Sequence, residues 1–343
     1  MTKAISLSEY SAIRDGGAGL IDLSSRGRIL VSGSEAVMFL NGLITNDMKT
    51  LAVNSWMAAA FANVQGRLLA AVRIAHRQDG FLIDTDNATR ETVLTLLDRF
   101  TLAGDFHVKD LTDETTMISV QGRSASEIVS SVFGEEAARV ERQKIVNAGF
   151  GDATVNVIRA THTAEDGFDL FIGPNESLRL SDALTGRGAA PISNATFETL
   201  RIEAGVPLYG IDMDENNVVT ETNLDDAVSF TKGCYLGQEI IVRIKHRGHV
   251  AKKLSGVVLD GSTPVPRNSK IISSEGKEIG RVTSSTFSPR LERAIALGYL
   301  KYDYLAVGTE VKIAAPESET NATVADLPFV RGSWYAEQPV VVV

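Results

Sequence analysis

The chain has 343 residues, of which 44% are hydrophobic and 22% are charged, and its formal net charge is −9. This length is enough for two or three domains, and the composition is typical of a soluble globular protein. No apolar run approaches the roughly 20 residues that cross a bilayer, and the N-terminal residues resemble neither a signal peptide nor a transit peptide. We therefore expect a cytoplasmic protein without a membrane partner, although a mature organellar protein would look the same.

The cysteine content limits the chemistry further. Cys234 is the single cysteine, so the chain has no internal disulfide and cannot alone supply four thiolates to an iron–sulfur cluster. Cys234, His246 and His249 do not have the spacing of a zinc finger, and we predict no metal site. The negative net charge argues against a surface that is generally coated with nucleic acid. Any anion must therefore bind to a local basic patch.

Hydrophobic patterns over the first two hundred residues predict strands and helices that are intermixed, with short turns between them. The predicted strands are Gly27–Ser32, Ala58–Asn63, Leu68–His76, Phe81–Asp84, Phe106–Asp110, Thr116–Val120, Thr154–Arg159 and Phe168–Ile172. Five helices are predicted. The first follows a cap at Ser34, the second covers 93–100, the third begins at the capping box Ser124–Glu127, and the last two cover 176–185 and 194–204. This mixture indicates an α+β fold rather than a doubly wound sheet.

The C-terminal part of the chain has a different pattern. The charged stretch 212–226 is predicted to be a loop, and from about Ala251 the sequence consists of short strands with turn signals. A hairpin is predicted between Lys270–Ser273 and Glu278–Thr283. This region therefore predicts an all-β domain, either a small barrel or a jelly roll.

Two neighbouring features carry candidate chemistry. Cations such as Lys232 and Arg243 favour the reactive thiolate form of Cys234, whereas a lone cysteine is more often a small buried hydrophobe. The stretch Lys232–Lys253 contains six Lys or Arg residues against one acid, Glu239. Such a stretch binds a polyanion, for example the glutamate tail of a folate or an RNA backbone, or it is simply a solvated strand.

A third candidate is Glu203, at the end of a predicted helix. A partly buried carboxylate there would accept two hydrogen bonds from an aminopyrimidine edge, the kind that a pterin presents. The alternative is an exposed carboxylate that pairs with Arg201.

Several segments resemble known families. Lys232–Glu239 (KGCYLGQE) resembles the KGC[YF]xGQE signature of the YgfZ family, and Asn63–Arg67 resembles its NxQGR turn. Arg201–Gly210 is similar to the RxEAGxxxYG helix end that this family shares with the glycine-cleavage T-protein. Gly280–Ser284 and Leu327–Phe329 are similar to the C-terminal domain of both groups. The resemblance covers nearly the whole chain.

The resemblance implies a three-domain ring of the T-protein/YgfZ type, with tetrahydrofolate or a one-carbon derivative of it near the centre. It implies a discontinuous folate-binding domain at 1–51 plus 144–248, an inserted ferredoxin-like α+β domain at 52–143, and a C-terminal β-barrel domain at 249–343. Glu203 would hold the pterin ring, and Cys234, with Lys232, would be a reactive thiol close to the folate. The remaining implied folate-binding residues are Gln65, Tyr209, Gln238 and Arg243.

One departure separates the chain from the aminomethyltransferases, which carry a carboxylate just after the turn in a pattern like QGGxxDD. Here the two acidic positions are Ala70 and Ala71, and Arg67 replaces a glycine. Alanine cannot transfer a proton or stabilise a developing cation, and such assistance is usually worth roughly 10²–10⁴-fold in rate. We therefore do not expect ordinary aminomethyl transfer.

The sequence leaves three hypotheses for function. The leading hypothesis is a tetrahydrofolate-binding accessory protein for the assembly or repair of iron–sulfur enzymes, with the assembly machinery or client enzymes as partners. The second is a tetrahydrofolate-dependent one-carbon transferase, either an aminomethyltransferase or a demethylase, that uses another base such as Asp84 or Asp86. The third is weak RNA contact through Lys232–Lys253, which the scarcity of aromatic residues in that stretch disfavours.

Overall fold

The computed structural model describes residues 5–336 except residue 317, and does not include the side chain of residue 247. The helices are α1 (Leu7–Arg14), α2 (Ala36–Leu43), α3 (Arg90–Asp98), α4 (Ala125–Phe133), α5 (Glu135–Ala138), α6 (Pro174–Thr185), α7 (Asn194–Glu203) and α8 (Gln238–Arg247). Within these described residues no helix has both the length and the apolar character needed to cross a membrane.

The strands up to residue 200 are β1 (Ala18–Asp22), β2 (Gly27–Ser32), β3 (Ser55–Ala62), β4 (Leu68–Arg77), β5 (Gly80–Thr85), β6 (His107–Asp110), β7 (Thr116–Gln121), β8 (Ile145–Phe150), β9 (Ala153–Arg159), β10 (Gly167–Ile172) and β11 (Ala189–Pro191). The C-terminal strands are β12 (Lys252–Leu259), β13 (Lys270–Ser273), β14 (Glu278–Ser288), β15 (Arg293–Lys301), β16 (Glu310–Ala315) and β17 (Ser318–Ala325).

These strands form two sheets and a barrel. One sheet has the order β11-β1-β7-β10-β9-β8, the other has the order β3-β4-β5-β2-β6, and β12-β15-β14-β13-β16-β17 close into a barrel. The barrel confirms the predicted all-β C-terminal region and decides between a barrel and a jelly roll. The predicted hairpin is present, because β13 pairs antiparallel with β14.

The two sheets lie face to face with helices on the outside. One hydrophobic cluster packs the outer face of the six-stranded sheet against α4, α5 and α6, and another packs the outer face of the five-stranded sheet against α2 and α3. A third cluster joins their inner faces with α1 and α7. β10 is buried along its whole length because it lies in the middle of these layers.

The sheets do not follow the domain ranges that the sequence suggests. β2 falls in the range 1–51 but pairs with β5 and β6, whereas β7 falls in the range 52–143 but pairs with β1 and β10. Pairing between strands that are distant in the chain has no local signal in the sequence, so the pattern of turns alone does not show such exchanges. The domain ranges themselves stay predictions.

Three local predictions are wrong. Ser34 does not cap α2, since its hydroxyl donates to the Asp105 carboxylate at 2.7 Å. Ser124 does not form a capping box, because its hydroxyl donates to the carbonyl oxygen of Gly16 at 2.7 Å. The basic stretch after Cys234 is the helix α8 rather than a solvated strand, with left-handed glycines at both ends.

Candidate functional site

A cavity of about 1180 Å³ lies where the two sheets, α7 and the barrel meet. This volume is slightly above the upper end of the range for small-molecule pockets, roughly 300–1,000 Å³. Its wall includes polar and aromatic side chains from all of these parts: Asp22, Arg26, Trp56, Arg73, Asp86, His162, Phe197, Glu198, Arg201, Tyr209, Asp226, Lys253, Trp334 and Tyr335. The resemblance names Tyr209 among these, whereas the other aromatic side chains and His162 carry no sequence signal that distinguishes them from core residues, and sequence reasoning missed them. We call this space the central cavity.

A buried ion network forms one wall of the central cavity. Arg26 donates to Asp84 at 2.7 Å and to Asp86 at 2.5 Å, and Arg73 pairs with Asp84 at 2.7 Å and with Asp169 at 2.5 Å. Burial would raise the pKa of Asp84, but the two guanidinium groups hold it below its ordinary value. Asp84 and Asp86 are therefore neutralised ion-pair partners, and neither is the free base that the transferase hypothesis requires.

His162 extends this network to the other sheet. Its Nε2 lies 3.0 Å from a carboxylate oxygen of Asp169, which is completely buried. Burial alone would raise the pKa of Asp169, but His162 and Arg73 hold it well below its ordinary range. The network therefore fixes charged groups between the two sheets at the cavity wall.

The two alanines at the acidic positions of the relatives' pattern face opposite sides of β4. Ala71 pairs with Ala60 and lies in the wall of the central cavity, whereas Ala70 pairs with Phe61 and is buried in the core of the five-stranded sheet. Alternate residues of a strand point to opposite faces. A carboxylate at position 71 would face a ligand in the cavity, whereas one at position 70 would not. The chain has only a methyl group at position 71.

Glu203 is not in the wall of the central cavity. It is completely buried, and its carboxylate accepts hydrogen bonds from Tyr10 at 2.8 Å, from Arg14 at 2.8 Å and from Ser288 at 2.5 Å. These partners belong to α1 and to β14 of the barrel. Both carboxylate oxygens are therefore used inside the protein, and neither predicted interpretation, a pterin ligand or an exposed partner of Arg201, matches this geometry.

The carboxylate that does reach the cavity from α7 is Glu198, one and a half turns before Glu203. Its side chain is 42% exposed and pairs with Arg201, whose guanidinium is fixed by Asp212 at 2.7 Å. Tyr209, one of the implied folate-binding residues, also lies in the wall. Arg201 donates to both carboxylate oxygens of Glu198 and fixes its position, and each oxygen keeps a second lone pair, so an acceptor pair faces the cavity at this point.

The other predicted site residues lie away from the central cavity. Among the described residues that form its wall, neither Cys234 nor Gln65, Gln238 or Arg243 is present. Cys234 and Gln65 are exposed, and Arg243 pairs with Glu239 along α8. Cys234 therefore lies outside the central cavity, and its proximity to a bound folate stays a prediction.

The motif around Cys234 packs instead against the turn between β3 and β4. Gly237 has a left-handed φ of 84°, and a Cβ there would lie 2.4 Å from the carbonyl oxygen of Asn63. Gly66, in the turn, has a φ of 70° and lies directly against Gly237. The two motifs, which are far apart in the sequence, therefore form one surface in which glycine is required by both conformation and space.

Lys232 anchors this motif rather than activating its thiol. Its side chain is buried, and Nζ donates to the carbonyl oxygens of Asn41, Ile44 and Asn46 at 2.7, 3.0 and 2.6 Å. These carbonyls end α2, where the helix dipole favours a cation. Burial lowers the pKa of Lys232 to about 8. Because the Lys232 ammonium is hydrogen-bonded to these three carbonyl oxygens, the structure does not support the expectation that it favours the thiolate form of Cys234.

Four cations of the predicted basic patch have partners within the protein. Lys232 is internal, Arg243 is paired within α8, and Lys252 and Lys253 pair with Glu221 and Asp225 at 3.9 and 3.3 Å. These contacts do not support the expected polyanion surface, which stays a prediction. Among the described residues, no group of three or more His, Cys, Asp or Glu side chains is placed to hold a metal ion.

Family models match most of the chain. The model described as GCVT N-terminal domain matches residues 2–232, and the model described as Glycine cleavage T-protein C-terminal barrel domain matches residues 252–331. The chain belongs to the glycine-cleavage T-protein family. Residues of both matched regions line the central cavity of this family member.

Curated relatives and a solved structure agree with this membership. The chain is 32% identical to the aminomethyltransferase of Rubrobacter xylanophilus over 324 residues, which cover 94% of the chain and 86% of that protein. It is 28% identical to the aminomethyltransferase of Caldanaerobacter subterraneus over 341 residues, covering 96% and 88%. The crystal structure of the glycine cleavage system aminomethyltransferase T from Bartonella henselae matches with a TM-score of 0.86 and 23% identity, covering 95% of the chain and 89% of that structure. The family member described here therefore has the T-protein fold.

Proposed function

We propose that this T-protein family member binds tetrahydrofolate, or a one-carbon derivative of it, in the central cavity. The observation that carries the proposal is the cavity wall, where the Glu198 carboxylate is held open by Arg201 beside several aromatic side chains. A carboxylate suits the donor edge of an aminopyrimidine, and Trp56, Phe197 and Tyr209 suit a flat ring. The relatives named aminomethyltransferase support a folate-type ligand.

Calorimetric titration of the whole chain with tetrahydrofolate tests this proposal. We expect binding by the wild type and a dissociation constant about 10- to 100-fold higher for Glu198→Gln, because a charged hydrogen bond contributes about 1.5–3 kcal/mol. Glu239→Gln, an exposed glutamate on α8, is the matched control and should bind like the wild type. Absence of binding by the wild type would refute the proposal.

For the chemistry performed on the folate, a one-carbon transferase is the function that the family supports best. The aminomethyl transfer of the named relatives is not carried over unchanged, because position 71 has no carboxylate and Asp84 is locked between Arg26 and Arg73. A transferase of this fold would need a proton acceptor from another part of the cavity wall. Purified protein that binds tetrahydrofolate but turns over no methyl or aminomethyl donor would count against this function.

A second candidate function is favoured by the motif Lys232–Glu239, which resembles the YgfZ signature and carries an exposed thiol. In this candidate, folate binding serves an accessory role in the assembly or repair of iron–sulfur enzymes, and Cys234 contacts a client or the assembly machinery. The test is the activity of a [4Fe–4S] enzyme in cells that carry Cys234→Ala in place of the native protein. Unchanged enzyme activity would remove the central role of the thiol.

A further inference from the structure

Asp226 is a carboxylate of the central cavity that no sequence motif indicates. It lies in the short 3-10 helix Asp225–Ala227, and its side chain is exposed toward the cavity. Of the other carboxylates of the wall, Asp86 and Glu198 are paired with arginine, whereas Asp22 and Asp326, like Asp226, have no ion pair among the described residues. Among the described residues, no ion-pair partner is found for Asp226, so its carboxylate is available to a ligand.

Two side chains fix this helix to the edge strand β3. The Asn46 amide donates to the carbonyl oxygens of Asp226 at 3.0 Å and Ala58 at 2.7 Å. The Thr45 hydroxyl donates to the carbonyl oxygen of Ala227 at 2.6 Å and accepts from the backbone N–H of Ala60 at 2.9 Å. Asp226 is therefore held at the level of Ala58 and Ala60.

Ala58 and Ala60 lie next to the part of β4 that contains Ala71, one of the two positions where the aminomethyltransferase pattern has an acidic residue. Ala60 is the direct antiparallel partner of Ala71, and paired residues project from the same face of a sheet. β3 and the adjoining Thr45–Asn46 segment thus lie between Asp226 and Ala71, and both residues line the same cavity. Position 71 on β4 and position 226 on the short helix Asp225–Ala227 therefore both face the central cavity.

The surroundings of Asp226 suit a proton acceptor. Partial burial raises the pKa of Asp226 above its ordinary value and the neighbouring Asp225 carboxylate adds to this, while hydrogen bonds from the backbone N–H groups of Asp226 and Ala227 oppose it. Asp225, paired with Lys253 of β12, is the charged group beside Asp226, and Arg26, Arg73 and Glu198 are charged groups of the same cavity wall. A carboxylate becomes a more effective base as its pKa approaches the working pH.

We infer that Asp226 is the catalytic carboxylate of this chain, acting on the reacting nitrogen of a bound folate in place of the carboxylate that position 71 lacks. This inference rests on the proposed folate function. Asp226 takes the proton of that nitrogen as the nitrogen bonds to the carbon of a one-carbon donor. The leaving group of the donor departs with the electron pair of the bond that breaks, so atoms and charges balance.

Proton exchange on ligand binding tests the inference without a turnover assay. The whole chain is titrated with tetrahydrofolate by calorimetry between pH 6 and 8, in pairs of buffers with different ionisation enthalpies, which counts the protons exchanged. We expect the wild type and Asp226→Glu to exchange a fraction of a proton that Asp226→Asn does not. Asp225→Asn is the matched control, since this neighbour pairs with Lys253, and it should retain the exchange.

A relocation experiment adds a second readout. The double variant Ala71→Asp with Asp226→Asn moves the carboxylate from the short helix Asp225–Ala227 to β4 in the same cavity wall, and we expect it to restore the exchange. Thermal unfolding verifies that each variant is folded. If Asp226→Asn exchanges protons like the wild type, the inference is overturned while folate binding stands. If the wild type does not bind tetrahydrofolate, both the inference and the proposed function are overturned.

Discussion

Substitution of Glu203 by glutamine distinguishes a buried structural carboxylate from a ligand-binding one. The change keeps the size of the side chain but removes the carboxylate that pairs with the buried Arg14 guanidinium at 2.8 Å, leaving Glu165 at 3.0 Å as its carboxylate partner. Breaking a buried pair costs about 3–5 kcal/mol when the charge is left alone, so we expect a loss toward the lower end of this range. Tyr10 and Ser288 lose a charged acceptor as well. Since domains are stable by only about 5–15 kcal/mol, the loss is a large share of the total.

Urea unfolding followed by tryptophan fluorescence measures this loss, with Glu198→Gln as the control from the same helix. Glu198 is 42% exposed and pairs at the surface of the cavity, so its substitution should cost less than about 1 kcal/mol. We expect Glu203→Gln to unfold at a much lower urea concentration and Glu198→Gln to lose folate affinity instead. A Glu203→Gln protein with wild-type stability and no folate binding would refute the structural role.

Three further predictions concern the cysteine motif and the ion network. Lys232→Met leaves three carbonyl oxygens at the end of α2 without their donor, so unfolding should become easier by about 1–3 kcal/mol in urea, whereas Lys245→Met, which removes an exposed cation, should change little. Because the pKa of Asp84 is lowered in the folded state, its contribution to stability is present above pH about 4 and is lost as the pH falls through the folded value. A urea midpoint that stays constant below pH 4 would contradict this. Gly237→Ala should cost at least about 1–2 kcal/mol from its left-handed φ, while Gly233→Ala, with open space around it, should be tolerated; equal unfolding midpoints would show that the contact is not tight.

The parts of the fold that the sequence predicts well are those with local signals. The hairpin of β13 and β14 has a turn between two short alternating strands, and the orientation of Ala71 follows from strand periodicity once β4 is known. Tyr209, which the resemblance names as a folate-binding residue, lies in the cavity wall, and its role there stays a prediction. In these cases the residues next to each other in the chain carry enough information.

The parts that could not be predicted depend on contacts between distant segments. Glu203 and Glu198 are equivalent as sequence, and only the approach of α1 and β14 buries the first and leaves the second facing the cavity. Cys234 lies outside the central cavity, and no short sequence motif indicates this separation. Asp226 reaches the cavity because Asn46 and Thr45 hold its helix, which no motif records.

The contact between Gly66 and Gly237 gives the molecule a mechanical link. The turn that contains Gly66 joins β3 and β4, the two strands whose inner face forms part of the cavity wall. With no side chain between the two glycines, a displacement of this hairpin has no flexible group to absorb it, and the backbone beside Cys234 must move with it. A ligand that shifts the hairpin from inside the cavity would therefore change the presentation of a thiol on the outside of the protein.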